Sequence, residues 1–273
     1  MQNQLSPLIL TFGPADPVGA LGIQSDVAAF SMHGCHGLSV VTGLLVADSA
    51  RVDDLHPVDS PTVAAQARML LEDMPIAAIK VGTMATLEQI AAIAEIVSDY
   101  ASLPLILDPF ASSLPDCGMR DDDILTLIHQ LLAPQATVLM LSQAELARFA
   151  DCWRDPASEA PLEEDVLELT AMGCGHVLVT GTGGGDGTRI NNLYDGEGLV
   201  ASLPWGQHLP GPFVGAGGTL SAALAAQMAR GASAADAVRA AQDYTTGALV
   251  HACRFGMGRL VPNKIYRIAG GNC

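Results

Sequence analysis

Short apolar runs at residues 8–12, 38–46, 77–80, 105–107, 138–141 and 177–180 alternate along the chain with stretches of helical periodicity at 22–32, 60–74, 87–100, 122–132, 162–172, 217–230 and 234–253. No other feature constrains the fold as strongly. Parallel strands cannot be joined by a tight turn. They need a crossover of a dozen or more residues, usually a helix, and repeated crossovers of one hand leave helices on both faces of the sheet. The expected fold class is α/β, a three-layer αβα sandwich with a central, mainly parallel sheet. No linker, low-complexity stretch or internal repeat interrupts the alternation, so residues 1–273 read as a single domain. Aromatics are only 4% of the chain, which suits close helix–sheet packing by alanine, leucine and glycine.

The segment most suggestive of chemistry is Val214-Gly215-Ala216-Gly217-Gly218-Thr219-Leu220. A glycine-rich turn there runs straight into an apolar helix, with Leu220, Leu224 and Met228 spaced by four on one face. The first N–H groups of a helix have no intrahelical acceptor, and the helix dipole is positive at that end. Gly215, Gly217 and Gly218 let an anion approach closely, so the turn reads as an anion cradle; the plainer reading is an ordinary loop-to-helix junction.

In open α/β sheets ligands bind beyond the carboxyl ends of the strands, which singles out the residues just past each apolar run. Asp16 and Gly19 follow the first run, Lys80 and Gly82 the third, Asp108 the fourth and Glu145 the fifth. Asp108 and Glu145 could orient the waters of Mg²⁺, which takes one or two carboxylates plus phosphate oxygens. Each residue also has a structural reading: Asp16 as a turn aspartate beside proline, Lys80 as an exposed strand end, Glu145 as a first-turn helix acid. Thr180-Gly181-Thr182-Gly183-Gly184-Gly185-Asp186-Gly187 looks like a nucleotide loop but lacks the Lys-Ser/Thr of a P-loop, and a β-hairpin loop explains it equally well. His33, Cys35 and His36 are too closely spaced, with no distant donor pair, to argue for zinc.

The formal net charge is −16, with acidic clusters at Asp121-Asp122-Asp123 and Glu163-Glu164-Asp165. Nucleic acid and anionic membrane both demand a basic surface, so neither is expected as a partner. No apolar run reaches transmembrane length and no basic-then-apolar leader opens the chain. The six cysteines are scattered without a C-x-x-C pair, which predicts reduced thiols and a cytoplasmic protein.

Four segments, in this order, resemble the hydroxymethylpyrimidine/phosphomethylpyrimidine kinases of thiamine synthesis, within the ribokinase-like superfamily. They are Gly19-Ala20-Leu21-Gly22-Ile23-Gln24-Ser25-Asp26, Ile79-Lys80-Val81-Gly82-Thr83-Met84, Leu107-Asp108-Pro109 and Gly215-Ala216-Gly217-Gly218-Thr219-Leu220-Ser221-Ala222-Ala223. They are similar to the family's G-G-A-G-I-Q-A-D, I-K-x-G-M-L, L-D-P-V and G-T-G-C-T-L-S-A-A. The resemblance implies transfer of the ATP γ-phosphate to a hydroxymethyl group and then to the phosphate of the monophosphate. It implies an acceptor held by Asp16, Gly19, Asp48, Lys80 and Gly82. The nucleotide would lie against Thr180, Gly181, Thr182, Gly183 and Thr219, Mg²⁺ would be reached through water from Asp108 and Glu145, and the chain would be a homodimer.

The chain departs from the family at informative places. Gly218 stands where the family has a cysteine and the superfamily an aspartate, the residue thought to help deprotonate the acceptor hydroxyl; glycine cannot take a proton. Asp48 replaces a pyrimidine-reading glutamine, and an ionised aspartate accepts hydrogen bonds but donates none. Thr180 replaces a lysine beside the nucleotide. Three readings stay open: a hydroxymethylpyrimidine kinase slowed by the missing base, a kinase of another small alcohol such as a pyridoxal-type ring, and a non-catalytic relative that binds ligand. All three place Asp16, Asp48 and the Gly215–Gly218 turn around one cleft.

Overall fold

The computed structural model describes residues 6–109, 122–154, 161–183, 188–206 and 209–268. Nine strands form one sheet in the order β3-β2-β1-β4-β5-β6-β7-β8-β9. They are β1 (Leu8–Ala15), β2 (His36–Ala47), β3 (Val52–Pro57), β4 (Ile76–Val81), β5 (Leu105–Leu107), β6 (Val138–Ser142), β7 (Val177–Gly183), β8 (Arg189–Asp195) and β9 (Gly198–Pro204). From β2 to β7 every pairing is parallel. β3, β8 and β9 add antiparallel edges. The chain builds outward from β1 in one direction and then restarts on its other side at β4, so the strand order reverses at β1, where a crevice opens in such sheets.

Successive side chains on a strand face opposite ways, and the two faces feed two cores. Leu10, Ile79, Leu107, Leu139 and Val179 join a core built with the helices α2 (Ser60–Asp73), α3 (Leu87–Asp99), α4 (Asp122–Leu127), α5 (Gln143–Ala150) and α6 (Leu162–Ala171). Ile9, Ala78, Ile106, Val138, Met140 and Leu178 join the other core, with α1 (Gly22–Met32), α7 (Ala216–Ala229) and α8 (Ala234–Val250). In α7 every residue from Thr219 to Ala226 is buried. A helix covered on all sides carries no polar stripe. Its alanines let it lie close between the sheet, α1 and α8.

The three-layer arrangement matches the expectation, and the expected helices lie within a few residues of the observed ones. The expected helix at 122–132 is α4 followed by a π turn over Ile128–Leu132. β3 and β9 were not anticipated; the start of α5 matches the reading of Glu145 as a first-turn helix acid. Gly184, Gly185, Asp186 and Gly187 of the glycine-rich loop lie outside the described residues, as does Asp121; the flanking segments form the antiparallel pair β7–β8, as the hairpin reading requires. The thiols correct one expectation. Cys35, Cys152 and Cys174 are free, but Cys253 is disulfide-bonded, to a partner outside the described residues. Spacing along the sequence cannot reveal such a pairing, because the fold decides which cysteines meet. No helix among the described residues is long and apolar enough to cross a membrane.

Candidate active site

A cleft of about 840 Å³ opens at the carboxyl ends of the strands, beside the N-terminus of α7. Gly215, at φ +85°, makes the turn into the helix, and a Cβ there would lie 2.0 Å from the Ala20 carbonyl oxygen. Only glycine fits, and the contact presses the α7 turn against the loop that follows β1. On the other side, a Cβ added at Gly217 would lie 3.8 Å from the Met140 methyl of β6. The cradle thus bridges the β1 loop and β6. The first bond of the helix runs from the Thr219 N–H to the Gly215 carbonyl (3.0 Å), and the N–H groups that precede it have no intrahelical acceptor. Gly215, Ala216, Gly217 and Gly218 all line the cleft. Gly218 has no atom within 4 Å of a Cβ position and no positive φ, so its lack of a side chain is not forced by the backbone.

Beneath the cradle lies a buried charged group. Lys80 Nζ is 3.0 Å from Asp26 Oδ2, with both side chains almost fully buried, and the Thr11 hydroxyl donates to the same oxygen at 2.7 Å. Asp108 follows β5, and the Ser221 hydroxyl of α7 donates to it at 2.6 Å. Burial pushes the Asp108 carboxyl up to about 6, against the pull of Lys80 and the Ser221 hydroxyl; Glu145 and Asp26 add to the rise. Glu145 is also raised, chiefly by burial. It closes a capping box at the start of α5: the Ser142 N–H donates to Glu145 Oε2 (2.7 Å) and the Glu145 N–H to the Ser142 hydroxyl (3.2 Å). Burial brings Lys264 down to about 8, with Asp26 and Asp16 pulling it back up.

Of the sequence-derived residues, Lys80, Gly82, Asp108, Glu145, Thr180 and Gly181 also line the cleft. Asp16, Gly19, Asp48, Thr182, Gly183 and Thr219 are not among its lining residues. Most of these have physical reasons. The Asp16 carboxylate is taken up by the N–H groups of Val18, Ala20 and Leu21 (3.0, 2.9 and 2.7 Å) and shapes the loop that abuts Gly215. Asp48 is exposed and accepts from the Ala50 and Arg51 N–H groups (2.7 and 2.9 Å), holding the β2–β3 turn. Asp16 matches its turn-aspartate alternative; Asp48 holds a turn as well, a role the sequence reading did not name for it. The Thr182 hydroxyl donates to the Ile190 carbonyl and that of Thr219 to the Gly215 carbonyl. Lys80 is buried rather than an exposed strand end.

Among the lining residues that the sequence reading did not name as site residues are Asp26, Phe213, Arg189 and Arg259. Asp26 closes the first of the four quoted segments and could have been found there. The arginines lie on an antiparallel strand near the sheet edge and on a loop, where nothing in the sequence marks them. Among the described residues no group of three or more histidines, cysteines and acids is placed to hold a metal by itself.

A sequence profile of the phosphomethylpyrimidine kinase family matches residues 16–263. The hydroxymethylpyrimidine/phosphomethylpyrimidine kinase of Escherichia coli is 30% identical over 259 residues, covering 91% of this chain and 93% of that one. The Rhizobium meliloti enzyme of the same name is 31% identical over 256 residues, covering 93% and 95%. Among solved structures, the Bacillus subtilis pyridoxal kinase in its ADP complex superposes with a TM-score of 0.82 at 25% identity, covering 96% of this chain and 99% of that one. A phosphomethylpyrimidine kinase from Clostridium difficile gives 0.72 at 22% identity, covering 88% and 99%. With the profile spanning nearly the whole chain and these relatives aligned end to end, the chain belongs to the phosphomethylpyrimidine kinase family.

Proposed function

We propose that this chain transfers the γ-phosphate of ATP to hydroxymethylpyrimidine and to its monophosphate. The observation that carries the reading is the opening of the α7 cradle into the same cleft as the half-buried acids Asp108 and Glu145. Phosphoryl transfer needs positioning and charge stabilisation more than covalent chemistry from the protein. The free N–H groups at the start of α7 are aimed where a transferring phosphoryl group needs them, at no reorganisation cost. Thr180 and Gly181 line the end of the cleft where the nucleotide lies in this reading, and the Asp16 loop holds the cradle's other flank.

Mg²⁺ fits the donor set. Asp108 and Glu145 are two half-buried carboxylates that desolvation pushes toward protonation, with Lys80 pulling the other way on Asp108. A cation reached through water would relieve that excess, and Mg²⁺ typically takes a carboxylate or two plus substrate phosphates. When bound, it neutralises charge on the nucleotide phosphates.

A second reading, a pyridoxal-type alcohol as acceptor, is favoured by the likeness to the Bacillus subtilis pyridoxal kinase. A coupled ADP-release assay with hydroxymethylpyrimidine, its monophosphate and pyridoxal separates the two. Turnover of pyridoxal alone would overturn the first reading, and ATP binding with no turnover of any acceptor would make the chain a non-catalytic relative. We further propose a homodimer, supported by Leu44 and Val46, two exposed apolar side chains on one face of β2. A monomer mass in light scattering at micromolar concentration would overturn it.

A further inference from the structure

The charged residues that line the cleft are Asp26, Asp108, Glu145, Lys80, Arg189 and Arg259. A chain of formal net charge −16 repels anions at long range, so an anionic ligand has to be held by donors inside the cleft. Two of the three cations there are committed. Lys80 is held by Asp26 at 3.0 Å, and Arg259 is already engaged. Arg189 is exposed, and among the described residues its guanidinium has no hydrogen bond or ion pair.

The local fold aims this free group. Arg189 opens β8 and pairs with Gly183, yet its Nη1 lies 3.5 Å from the Cβ position of Gly181, two residues back along β7. The β7–β8 ladder carries a bulge at that point: Thr180 and Gly181 together oppose Asn191, with Gly181 at φ +72°. The Asn191 side chain is buried and fixes the bulge. It accepts from the Gly181 N–H (3.1 Å) and the Trp205 indole N–H (3.3 Å) and donates to Gln242 Oε1 (3.0 Å). Bulges beside active sites commonly re-aim a side chain. Here the guanidinium is laid over a residue with no side chain, on the wall of the cleft. Thr180, which lines the same wall, brings no charge, so this end of the cleft depends on a residue of the next strand.

β6, β7 and β8 are neighbours in the sheet, and Ser142 of β6 pairs with Thr180. The head of α7 lies against β6, at Met140. A guanidinium over Gly181 is therefore about one strand spacing, roughly 5 Å, from the strand beneath the cradle. A phosphoryl group seated at the α7 head leaves the rest of its phosphate chain to run toward Arg189.

We infer that Arg189 binds the part of the nucleotide that is not transferred, the phosphates that ADP keeps. This rests on the kinase reading above and adds a residue to it. The planar fork of a guanidinium matches phosphate oxygens two at a time. In transfer from ATP the electron pair of the broken bond stays on the β-phosphate, so a cation already in place there also favours the departure of ADP. The N–H groups of α7 and the Arg189 side chain divide the triphosphate between them, the first holding what moves and the second what stays.

Calorimetric titration of the full chain with ADP and Mg²⁺ tests this. Arg189→Ala should weaken ADP binding about 10–100-fold, the loss expected for hydrogen bonds to a charged group. The melting temperature without ligand should stay in place, because the side chain is exposed and unbonded. Arg189→Lys keeps the charge without the fork and should regain part of the affinity. Adding Thr180→Lys to Arg189→Ala should also regain part of it, by returning a cation to the same wall. The gap between wild type and Arg189→Ala should narrow as salt is raised from about 0.01 M to about 1 M, since salt screens an exposed charge. Unchanged ADP affinity in Arg189→Ala overturns the inference and leaves the kinase reading standing. A gap that salt does not change overturns it as well, and places Arg189 against the base or ribose. No ADP binding by the wild-type chain rejects the kinase reading itself.

Discussion

The Ser221 hydroxyl donates to Asp108 over 2.6 Å and lies 3.2 Å from the Gly218 carbonyl, so one side chain ties a half-buried acid to the first turn of α7. Ser221→Ala removes the donor and leaves a half-buried carboxylate with one partner fewer. Hydrogen bonds to charged groups are worth about 1.5–3 kcal/mol, and a loss of that order in unfolding free energy is expected without ligand. Affinity for ATP should fall with it in the presence of Mg²⁺, because the carboxyl becomes easier to protonate. Calorimetric titration of wild type and variant at pH 6 and 8 checks this: the affinity gap should widen at the lower pH.

Gly215 and Gly218 stand three residues apart and should respond oppositely to the same substitution. Gly215→Ala places a Cβ 2.0 Å from the Ala20 carbonyl oxygen at φ +85°. Strain of this kind costs about 1–3 kcal/mol before any clash is counted, so the variant should be less stable and lose nucleotide binding. Gly218→Ala meets open space within a helix, and alanine there should be neutral or stabilise by about 0.5 kcal/mol. Urea unfolding of both variants decides the matter; equal destabilisation would refute the contrast.

Lys80 and Asp26 are a buried pair held at 3.0 Å. Lys80→Met strands the aspartate, and breaking a buried pair in this way costs about 3–5 kcal/mol. Adding Asp26→Asn to Lys80→Met removes the stranded charge and should recover much of the loss. A double variant no more stable than Lys80→Met would mean that the pair is not coupled.

His33 sets an acid limit on stability. Burial brings it down to about 4, helped by Arg267 and Arg230. Its Nδ1 is 3.0 Å from Gln227 Nε2, its ring meets Tyr244 edge-on at 4.5 Å, and its buried Nε2 has no partner among the described residues. The unfolded chain binds this proton near 6.5 and the folded one near 4, so stability is complete above 6.5 and declines as pH falls toward 4. The loss should reach about 2 kcal/mol after allowance for solvent screening. Thermal unfolding of wild type and His33→Gln across that window should show the two melting temperatures diverging as pH falls; parallel curves would remove His33 as the cause.

The interior of this fold was legible because strands buried on both faces read as unbroken apolar runs. Leu105–Leu107 and Val138–Ser142 are plain in the sequence for that reason. The edges were not. In β3 only Val52 and Leu55 are buried, and β8 carries Arg189, Asn191 and Asn192 among its seven residues. α5 is too short for periodicity to show, although Ser142 and Glu145 announce its start. The cradle was legible from its glycines and from the apolar helix they open. Asp16 and Asp48 could not be sorted, since a turn carboxylate looks the same in sequence whether it faces a ligand or its own backbone. Arg259 was invisible for another reason: only the tertiary path that brings its loop against Ser49 places it beside the cleft.

The alanine-lined seat of α7 has an evolutionary consequence. Ala222, Ala223, Ala225 and Ala226 have no exposed surface, so even one added methylene must displace the whole helix, and with it the N–H groups at its head. Mutational drift can therefore reshape this protein's chemistry mainly through the loops that face α7. Gly218 and Arg259, both bordered by space or solvent, are the kind of position at which one inherited kinase frame can be retuned for a new acceptor without disturbing its central post.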